Sequence, residues 1–129
     1  MKAYCLLNHE LTENQKNELL TRFNCESIIY PEKELSAIWS QIPAVESIDL
    51  SVIKAVTDWL GDAQEGDVLI IQGEFGATFM LVDYALKNKM IPLHAVTKRV
   101  ATEQRNGETV QRQYIFEHVC FRRYEYYKA

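Results

Sequence analysis

The sequence predicts an α/β fold in which helices cover both faces of a mainly parallel sheet. Short apolar runs alternate with amphipathic segments of helical period. The run Val68–Ile71 is aliphatic throughout, as in strands that are buried on both faces of a parallel sheet. A chain of 129 residues that is 47% hydrophobic suffices for one core and not for two. The resulting order, β-α-β-α-α-β-α-β, indicates a Rossmann-like three-layer sandwich in a single domain, residues 1–129.

The first half of the chain carries clear boundary signals. Thr12 and Gln15 form the pattern of a capping box, and Asp49 or Ser51 is the expected N-cap of a later helix. Prolines and a glycine mark the ends of several elements. The predicted elements are a strand at Ala3–Asn8, a helix from Thr12 to about Phe23, a strand at Cys25–Tyr30, a short helix from Pro31 to Ile42, and a helix across Ile48–Leu60.

The central strand leads into a turn that contains two glycines. Val68–Ile71 is followed by the segment Gln72–Thr78, and helical periodicity resumes over Phe79–Leu86. A fourth strand is predicted at Ile91–Val96. Open α/β sheets bind ligands where a central strand ends and a helix begins, so this turn is the first candidate site.

The last part of the chain, residues 98–129, is predicted to form a basic β-hairpin arm. Asn106-Gly107 is a strong hairpin signal, Val100–Arg105 and Glu108–Phe116 flank it, and a further strand is predicted at Val119–Tyr127. Residues 1–97 carry seven basic and fourteen acidic side chains, a net charge of −7. Residues 98–129 carry seven basic and four acidic side chains, a net charge of +3.

The arm has more aromatic surface than one small core readily covers. Because aromatic residues are enriched in interfaces, we expect a homodimer with the arm at or near its interface. The aromatic residues concerned are Tyr114, Phe116, Phe121, Tyr124, Tyr126 and Tyr127.

Composition and charge limit the classes of function. A net charge of −4 argues against general duplex-DNA binding, while the basic arm still allows a confined anion site. No apolar run approaches the roughly 20 residues of a membrane-spanning helix. The N-terminal residues lack a signal-peptide pattern, so we expect a cytoplasmic protein without a membrane partner. The three cysteines are widely spaced and are expected to be reduced packing residues.

The turn with two glycines has the features of a phosphate site. Gly73 and Gly76 permit close approach of the backbone, the N–H groups at the helix start attract an anion, and Thr78 adds a hydroxyl. The spacing matches neither the dinucleotide-binding pattern nor the P-loop pattern. The alternative is a tight turn whose glycines are required for steric reasons alone, and the sequence favours neither.

Two further groups of side chains are predicted at the same edge of the sheet. Thr97, Lys98 and Arg99 follow the fourth strand and suit a phosphodiester, because arginine holds phosphate in a bidentate manner and lysine acts as a point charge. The alternative is a solvated strand end. His9 follows the first strand, either as a ligand contact or as a surface or capping residue.

Alternation along the last strand predicts one face that combines His118, Arg122 and Tyr124. Such a face could stack a base on Tyr124, hold a phosphate through Arg122 and transfer a proton with His118. The alternative is an edge strand that is protected by its charge. His94 lies within an apolar strand and is expected to be a satisfied core residue.

Five short motifs are spread over nearly the whole chain. They are Leu7-Asn8-His9-x-Leu11-Thr12, Trp39-Ser40-x-Ile42-Pro43, Gln72-Gly73-Glu74-Phe75-Gly76-Ala77-Thr78, Thr97-Lys98-Arg99 and Phe116-x-His118-Val119-x-Phe121-Arg122. Together they resemble a small CRISPR-associated Csx family of type III systems. That family is similar in fold to the CARF domains that sense cyclic oligoadenylate, and some related members are ring nucleases. The resemblance therefore implies a CARF-like fold.

The resemblance also implies a function. It implies a homodimer that binds cyclic tetra-adenylate across its two-fold axis and cuts it to linear di-adenylate, which switches off the antiviral signal. The implied ring nuclease requires no metal and no cofactor, and its implied chemistry is attack by the ribose 2′-hydroxyl on the neighbouring phosphate. The sequence agrees, since it shows no compact carboxylate or His/Cys cluster, although Glu10 and Glu74 stay open as metal ligands. The implied catalytic residues are His9, His118 and Lys98, and the implied ligand-binding residues are Gln72, Gly73, Phe75, Gly76, Thr78, Thr97, Arg99, Arg122 and Tyr124.

Two other functions compete with the ring nuclease. One is a protein that sequesters or senses cyclic oligoadenylate without cutting it. The other is a protein-interaction domain in which the glycine turn and the basic arm are both structural.

Overall fold

A computed structural model describes all residues from Met1 to Ala129 and shows a mixed α/β fold with five strands and four helices. The predicted order of strands and helices is confirmed, and the predicted C-terminal hairpin is present as an extension of the fourth strand together with a fifth strand. The elements are β1 (Lys2–Leu6), α1 (Glu13–Phe23), β2 (Ser27–Ile29), α2 (Lys33–Ser40), α3 (Leu50–Trp59), β3 (Val68–Ile71), α4 (Phe75–Lys87), β4 (Ile91–Asn106) and β5 (Thr109–Arg123).

The five strands form one sheet in the order β2-β1-β3-β4-β5. The first four strands are parallel, and β5 runs antiparallel to β4. The C-terminal ends of the four parallel strands therefore lie at the same edge of the sheet. The central strand β3 is buried along its whole length, as its aliphatic sequence predicts.

Helices pack against both faces of the sheet. On the face that carries Tyr4, Leu69 and Ile71, buried side chains of α2, α3 and α4 form one core cluster. On the opposite face, α1 packs against Val68, Ile70 and other buried residues in a second cluster. We call these the α4 face and the α1 face of the sheet.

The helix caps agree with the sequence at two helices and differ at a third. Thr12 forms a capping box with Gln15, and Asp49 caps α3 by accepting from the Ser51 N–H. The prediction that α4 begins near Phe79 is wrong by one turn, because the helix begins at Phe75. The Glu74 carboxylate accepts hydrogen bonds from two N–H groups of the first turn and stabilises this earlier start.

The hairpin is longer and more continuous than predicted. β4 runs without interruption to Asn106, and the two central residues of the turn are Gly107 and Glu108, since Asn106 pairs with Thr109. Gly107 has φ +65°, as expected for glycine at the first central position of a two-residue hairpin turn. The strand predicted up to Tyr127 is wrong, because β5 ends at Arg123.

Much of this hairpin extends beyond the rest of the sheet. β3 pairs with β4 only from Ile91 to Leu93. Residues 97–117 are exposed throughout, apart from a partly buried Val100. We call residues 97–117 the arm, and it is shorter than the predicted segment 98–129, because Phe121 is buried in the core cluster of the α1 face.

A β-bulge lies where the arm meets the body of the protein. Val96 pairs with Cys120 and Thr97 pairs with His118, so Val119 is an extra residue in β5. The bulge shifts the alternation of side chains by one residue. His118 consequently packs against Phe121, with their ring centroids 4.7 Å apart, on the α1 face. The prediction that His118 shares a face with Arg122 and Tyr124 is wrong for this reason.

None of the four helices is long and apolar enough to cross a membrane. The three cysteines are free, and Cys5 and Cys25 are buried in the core cluster of the α1 face. Burial raises the pKa of the Cys5 thiol to about 12, so this side chain acts as an apolar packing residue.

Candidate ligand-binding groove

A groove of about 700 Å³ runs along α4 and lies over β4 and the residues that follow β5. Its volume falls within the roughly 300 to 1,000 Å³ of small-molecule sites. We call this cavity the groove. It is lined by Gln72, Gly73, Phe75, Thr78, Phe79, Val82, Asp83, Leu86, His94, Tyr124, Glu125, Tyr126 and Tyr127. Five of the predicted ligand-binding residues therefore meet in one place.

One wall of the groove is a stripe of side chains on α4. Phe75, Phe79, Val82 and Leu86 recur at helical spacing on the side of the helix that faces the groove, while Leu81 faces the core. Phe75 is 91% exposed and Phe79 is 76% exposed. Phe75 and Phe79 thus give α4 a second apolar surface that the chain leaves largely uncovered, and large exposed apolar patches mark interaction sites.

The floor of the groove is formed by polar side chains that are held in place. The Ala95 N–H donates to Gln72 Oε1 at 3.0 Å, and the Tyr124 hydroxyl donates to the Ile71 carbonyl at 2.8 Å. The rings of His94 and Tyr124 are in contact, with centroids 4.8 Å apart. The aromatic residues of the floor are therefore fixed before any ligand arrives.

The charge of the groove is negative. Asp83 and Glu125 line it, and no lysine or arginine does. Asp83 forms an ion pair with Lys87 at 2.8 Å and accepts from the Tyr126 hydroxyl at 3.2 Å, which together hold the pKa of Asp83 below its usual value. A phosphate has no cationic partner inside this cavity.

Arg122 is the cation nearest to the floor. It lies opposite His94 in the β4–β5 register, so the two side chains share the α4 face, and it makes no ion pair. Partial burial, together with the nearby Arg122 charge, lowers the pKa of His94. Its imidazole is therefore neutral at pH 7.

The N–H groups at the start of α4 already have a hydrogen-bond acceptor within the chain. The N–H groups of Gly76 and Ala77, which the sequence assigned to a phosphate, donate to the Glu74 carboxylate at 2.9 and 2.8 Å. These bonds lower the pKa of Glu74 and keep it ionised. A second anion at this helix start would meet a negative charge.

Packing accounts for both glycines of the turn. A Cβ atom at Gly73 would lie 2.7 Å from the ring of Trp39, and one at Gly76 would lie 3.2 Å from the side chain of Ile48. The Trp39 indole N–H also donates to the Gln72 carbonyl at 3.1 Å. The geometry therefore favours the steric interpretation of these glycines over a phosphate cradle.

The imidazole of His118 is hydrogen-bonded to side chains of α1. Its Nε2 lies 2.7 Å from Glu18 Oε1, and its Nδ1 lies 3.3 Å from Gln15 Nε2. Because the Gln15 carbonyl oxygen already accepts from the Thr12 N–H, its amide nitrogen donates to His118 Nδ1. Both imidazole nitrogens are thus engaged on the face opposite the groove.

His9 lies in a different cavity. This cavity has about 400 Å³, lies beyond the end of β1, and shares no lining residue with the groove. His9 Nδ1 lies 2.8 Å from the Glu10 carbonyl. The structure therefore separates the two predicted catalytic histidines from each other and from the groove.

The three polar residues that follow the bulge lie on the arm and divide between its faces. Lys98 pairs with Glu117 at 3.6 Å, and alternation places both on the α4 face. Thr97 and Arg99 lie on the α1 face with His118, and the Arg99 guanidinium is 3.7 Å from the Tyr114 ring centroid. Only Lys98 of the three points to the same side of the sheet as the groove.

Sequence reasoning missed two parts of the groove. The helical spacing of Phe79, Val82 and Leu86 could have predicted a second apolar face on this helix. It was missed because the same helix also has an apolar stripe that faces the core. His94 was assigned to the core, and only the pairing of β4 with β5 shows that its side chain faces a cavity.

The fold and the groove together define an α/β protein with a largely apolar groove beside its sheet. The chain belongs to the family described as "Uncharacterized protein MJ1673 family", whose model matches residues 1–122. It is similar to "Uncharacterized protein MJ1673" of Methanocaldococcus jannaschii, with 35% identity over 129 residues and 98% of each chain covered. No solved structure matches the chain.

Proposed function

We propose that this protein binds cyclic oligoadenylate, with cyclic tetra-adenylate as the ligand, and retains it without cutting it. On this proposal it is a cytoplasmic protein of type III CRISPR systems with a Rossmann-like, CARF-like fold. The observation that carries the proposal is the groove, whose aromatic walls are exposed and whose lining contains no cation.

Aromatic walls without cations suit a nucleobase better than a phosphate. Bases stack on aromatic side chains, and each stacked base contributes about 1 to 3 kcal/mol. Phe79 on α4 and Tyr124 on the floor provide two such surfaces. Asp83 and Glu125 repel phosphate, so the sugar-phosphate ring would lie outside the groove, toward Arg122.

A symmetric ligand suits a symmetric pair of grooves. A two-fold dimer presents the same groove twice, and a cyclic ligand made of identical nucleotides offers the same base to each copy. The exposed arm supplies the apolar surface that such a dimer requires.

Retention is favoured over cleavage by the positions of His9 and His118, the two histidines that the resemblance assigned to catalysis. Proton transfer requires a group within hydrogen-bond reach of the reacting atoms. His118 uses both ring nitrogens on the far face of the sheet, and His9 lies in another cavity. The groove therefore lacks the acid–base groups that the sequence assigned to it.

Ring cleavage is the second candidate, and the position of two cations favours it. Lys98 and Arg122 both lie on the α4 face, where they could stabilise the charge of a phosphorane. In this reaction the ribose 2′-hydroxyl loses its proton and attacks the adjacent phosphorus. The bond to the 5′-oxygen breaks, which leaves a 2′,3′-cyclic phosphate and a 5′-hydroxyl that takes up a proton.

One experiment separates these functions. The purified protein is incubated with radiolabelled cyclic tetra-adenylate, with and without EDTA, and the bound and free nucleotides are separated and resolved. We expect intact ligand in the bound fraction. Products that end in a 2′,3′-cyclic phosphate would establish the ring nuclease instead.

A protein that neither retains nor cuts the ligand would leave the protein-interaction domain as the function. Phe79→Ala is the matched variant for this assay, because its side chain lines the groove and is largely exposed. Val45→Ala is the control, since Val45 is also exposed and lies outside the groove.

A further inference from the structure

The floor of the groove carries polar atoms that the fold does not use. Thr78 Oγ1 is buried and has no hydrogen-bond partner. Gln72 Oε1 accepts from the Ala95 N–H, which leaves the two hydrogens of Gln72 Nε2 without a partner in the chain. The His94 ring hydrogen-bonds to the backbone of Ala95, and no side chain hydrogen-bonds to its other ring nitrogen. Buried polar groups are normally satisfied, so the Thr78 hydroxyl is an exception on this floor. The partly exposed donors of Gln72 and the His94 ring are available to a polar ligand in the groove.

The three side chains line the same groove. Gln72 reaches from the end of β3 to the backbone of Ala95, which directly follows His94. Thr78 approaches from the first turn of α4, and all three line the groove. We call these three side chains the polar edge of the groove.

The orientation of Gln72 gives this edge a defined pattern. Because Oε1 is committed to Ala95, the amide presents only donors to the groove. The neutral imidazole of His94 has one ring nitrogen that accepts a hydrogen bond. A donor beside an acceptor complements the ring nitrogen N1 of adenine beside its 6-amino group.

We propose that Gln72 and His94 are the specificity-determining residues of the groove and that they bind the edge of one adenine base, which stacks against Phe79 and Tyr124. The Gln72 amide donates to N1 of the base, and the 6-amino group donates to His94. The choice of adenine rests on the proposed function, whereas the pattern of the edge rests on the groove alone.

Inosine provides a direct contrast. Its base carries N1–H and a carbonyl oxygen in place of N1 and the 6-amino group. Both hydrogen-bonding positions are therefore inverted, and the Gln72 amide would meet a donor. A site that is built for a particular hydrogen-bonding pattern rejects the inverted pattern strongly, because buried groups are left unpaired.

The test compares cyclic tetra-adenylate, cyclic tetra-inosinate and AMP by isothermal titration calorimetry. It uses the wild type, Gln72→Glu, His94→Phe and a control, His9→Phe, which alters the other cavity. Gln72→Glu keeps the acceptor for Ala95 and replaces the donors by an oxygen. His94→Phe keeps a ring against Tyr124 and removes both nitrogens. Urea unfolding of each variant identifies any that fails to fold.

We expect the wild type to bind the adenylate ring about 10- to 100-fold more tightly than the inosinate ring. Gln72→Glu and His94→Phe should each weaken binding of the adenylate ring about 10-fold or more and reduce this preference, while His9→Phe should bind as the wild type does. The comparison of the two rings requires no variant, so it holds even if a variant misfolds.

The outcomes separate this inference from the proposed function. A wild type that binds both rings equally, with folded Gln72→Glu and His94→Phe variants that bind as tightly, overturns the inference and leaves the proposed function intact. A wild type that binds AMP through Gln72 and His94 but neither ring supports the inference and overturns the proposed function. A wild type that binds none of the three ligands overturns both.

Discussion

Glu18 joins more parts of the molecule than any other charged side chain on α1. Its carboxylate faces His118, accepts from the Phe121 N–H at 2.9 and 3.1 Å, and pairs with Arg22. Burial alone would raise the pKa of Glu18, but the hydrogen bonds from His118, Phe121 and Arg22 outweigh it and lower the pKa. The folded state therefore favours the ionised form.

This shift predicts acid sensitivity. The contribution of Glu18 to the free energy of unfolding is fully present above the usual glutamate pKa of 4.5 and is lost as the pH falls through the lower pKa of the folded protein. Glu18→Gln should be less stable than the wild type at pH 7 and should lose less stability on acidification. Urea unfolding at pH 7 and pH 4 measures both effects.

Glu13→Gln is the control on the same helix, because its side chain is 91% exposed. It should follow the pH dependence of the wild type. Equal acid sensitivity of Glu18→Gln and the wild type would show that Glu18 contributes nothing to the pH dependence.

Gly73 shows how one contact decides between two interpretations of a motif. Alanine at this position would bring Cβ within 2.7 Å of the Trp39 ring. Gly73→Ala should therefore lower the free energy of unfolding by about 1 to 3 kcal/mol, as overpacking typically does. Urea unfolding without any ligand measures this cost.

A double-mutant cycle identifies its cause. In a Trp39→Leu background the added methyl group has more room, so the cost of Gly73→Ala should shrink. If Gly73→Ala costs as much stability in the Trp39→Leu background, contact with Trp39 is not the cause. If it costs none in the wild-type background, the phosphate interpretation of the turn is restored.

The side chains that sequence reasoning placed correctly are those whose surroundings are local. Thr12 finds Gln15 three residues away, and Asp49 finds Ser51 two residues away. The face predicted for the His118 side chain was wrong, because it depends on an extra residue in β5 that no local sequence pattern indicates. The prediction that His94 lies in the core was wrong, because its surroundings are formed by β5, a strand that is distant from His94 in sequence.

α4 contributes side chains both to the core and to the groove. Its buried side contains Ala77, Leu81 and Ala85, whereas its groove side contains Phe75 and Phe79. A helix that is apolar on two sides normally lies in a core. Here the second side faces a cavity, which indicates that a ligand or another chain covers it.

The two sides of α4 should respond differently to truncation. Phe79→Ala should change the free energy of unfolding by no more than about 0.5 kcal/mol, because the side chain is 76% exposed. It should weaken the binding of cyclic tetra-adenylate by about 1 to 3 kcal/mol through the lost stacking. Urea unfolding and calorimetric titration provide the two measurements.

Leu81→Ala is the matched variant on the buried side. Since Leu81 is fully buried, this change should cost about 2 to 5 kcal/mol of stability. If Phe79→Ala binds the ligand as tightly as the wild type, the stripe on α4 is not part of the binding surface.

The elements of the body could be predicted from sequence because each has its own period and caps. The start of α4 could not, since it depends on where the Glu74 side chain turns, and a glutamate before a helix has several ways to orient. The continuity of β4 was also missed, because Thr97-Lys98-Arg99 resembles a loop until its pairing with β5 is known.

At the scale of the whole molecule, the arm is the feature whose surface one chain does not cover. A two-stranded ribbon is marginally stable alone in water. Both faces of this ribbon are exposed, and Tyr114, Ile115 and Phe116 lie on it. A second copy of the chain would cover this surface, and the arm would then act as a dimerisation element.

This argument predicts a homodimer that depends on Phe116. The wild type should have about twice the 15.0 kDa mass of one chain in multi-angle light scattering at micromolar concentration. Phe116→Glu should shift the mass to that of a monomer without unfolding the chain, because the side chain is 70% exposed.

Val45→Glu is the matched control for this charge substitution. Val45 is 64% exposed and lies far from the arm in sequence, so its variant should keep the mass of the wild type. A wild type that is monomeric at micromolar concentration would contradict the dimer.

The contact between α1 and β5 has a consequence for how far the sheet can extend. Glu18 accepts from the N–H of Phe121, and Arg22 donates to the carbonyl of the same residue at 2.7 Å. These are the two hydrogen bonds that a residue of an adjacent strand would make, so one helical turn imitates a sixth strand. The outer edge of β5 is sealed at this point, and a foreign strand cannot add to the body there. Along β5, strand addition is thereby confined to the arm, and this side of the sheet offers less edge to a foreign chain.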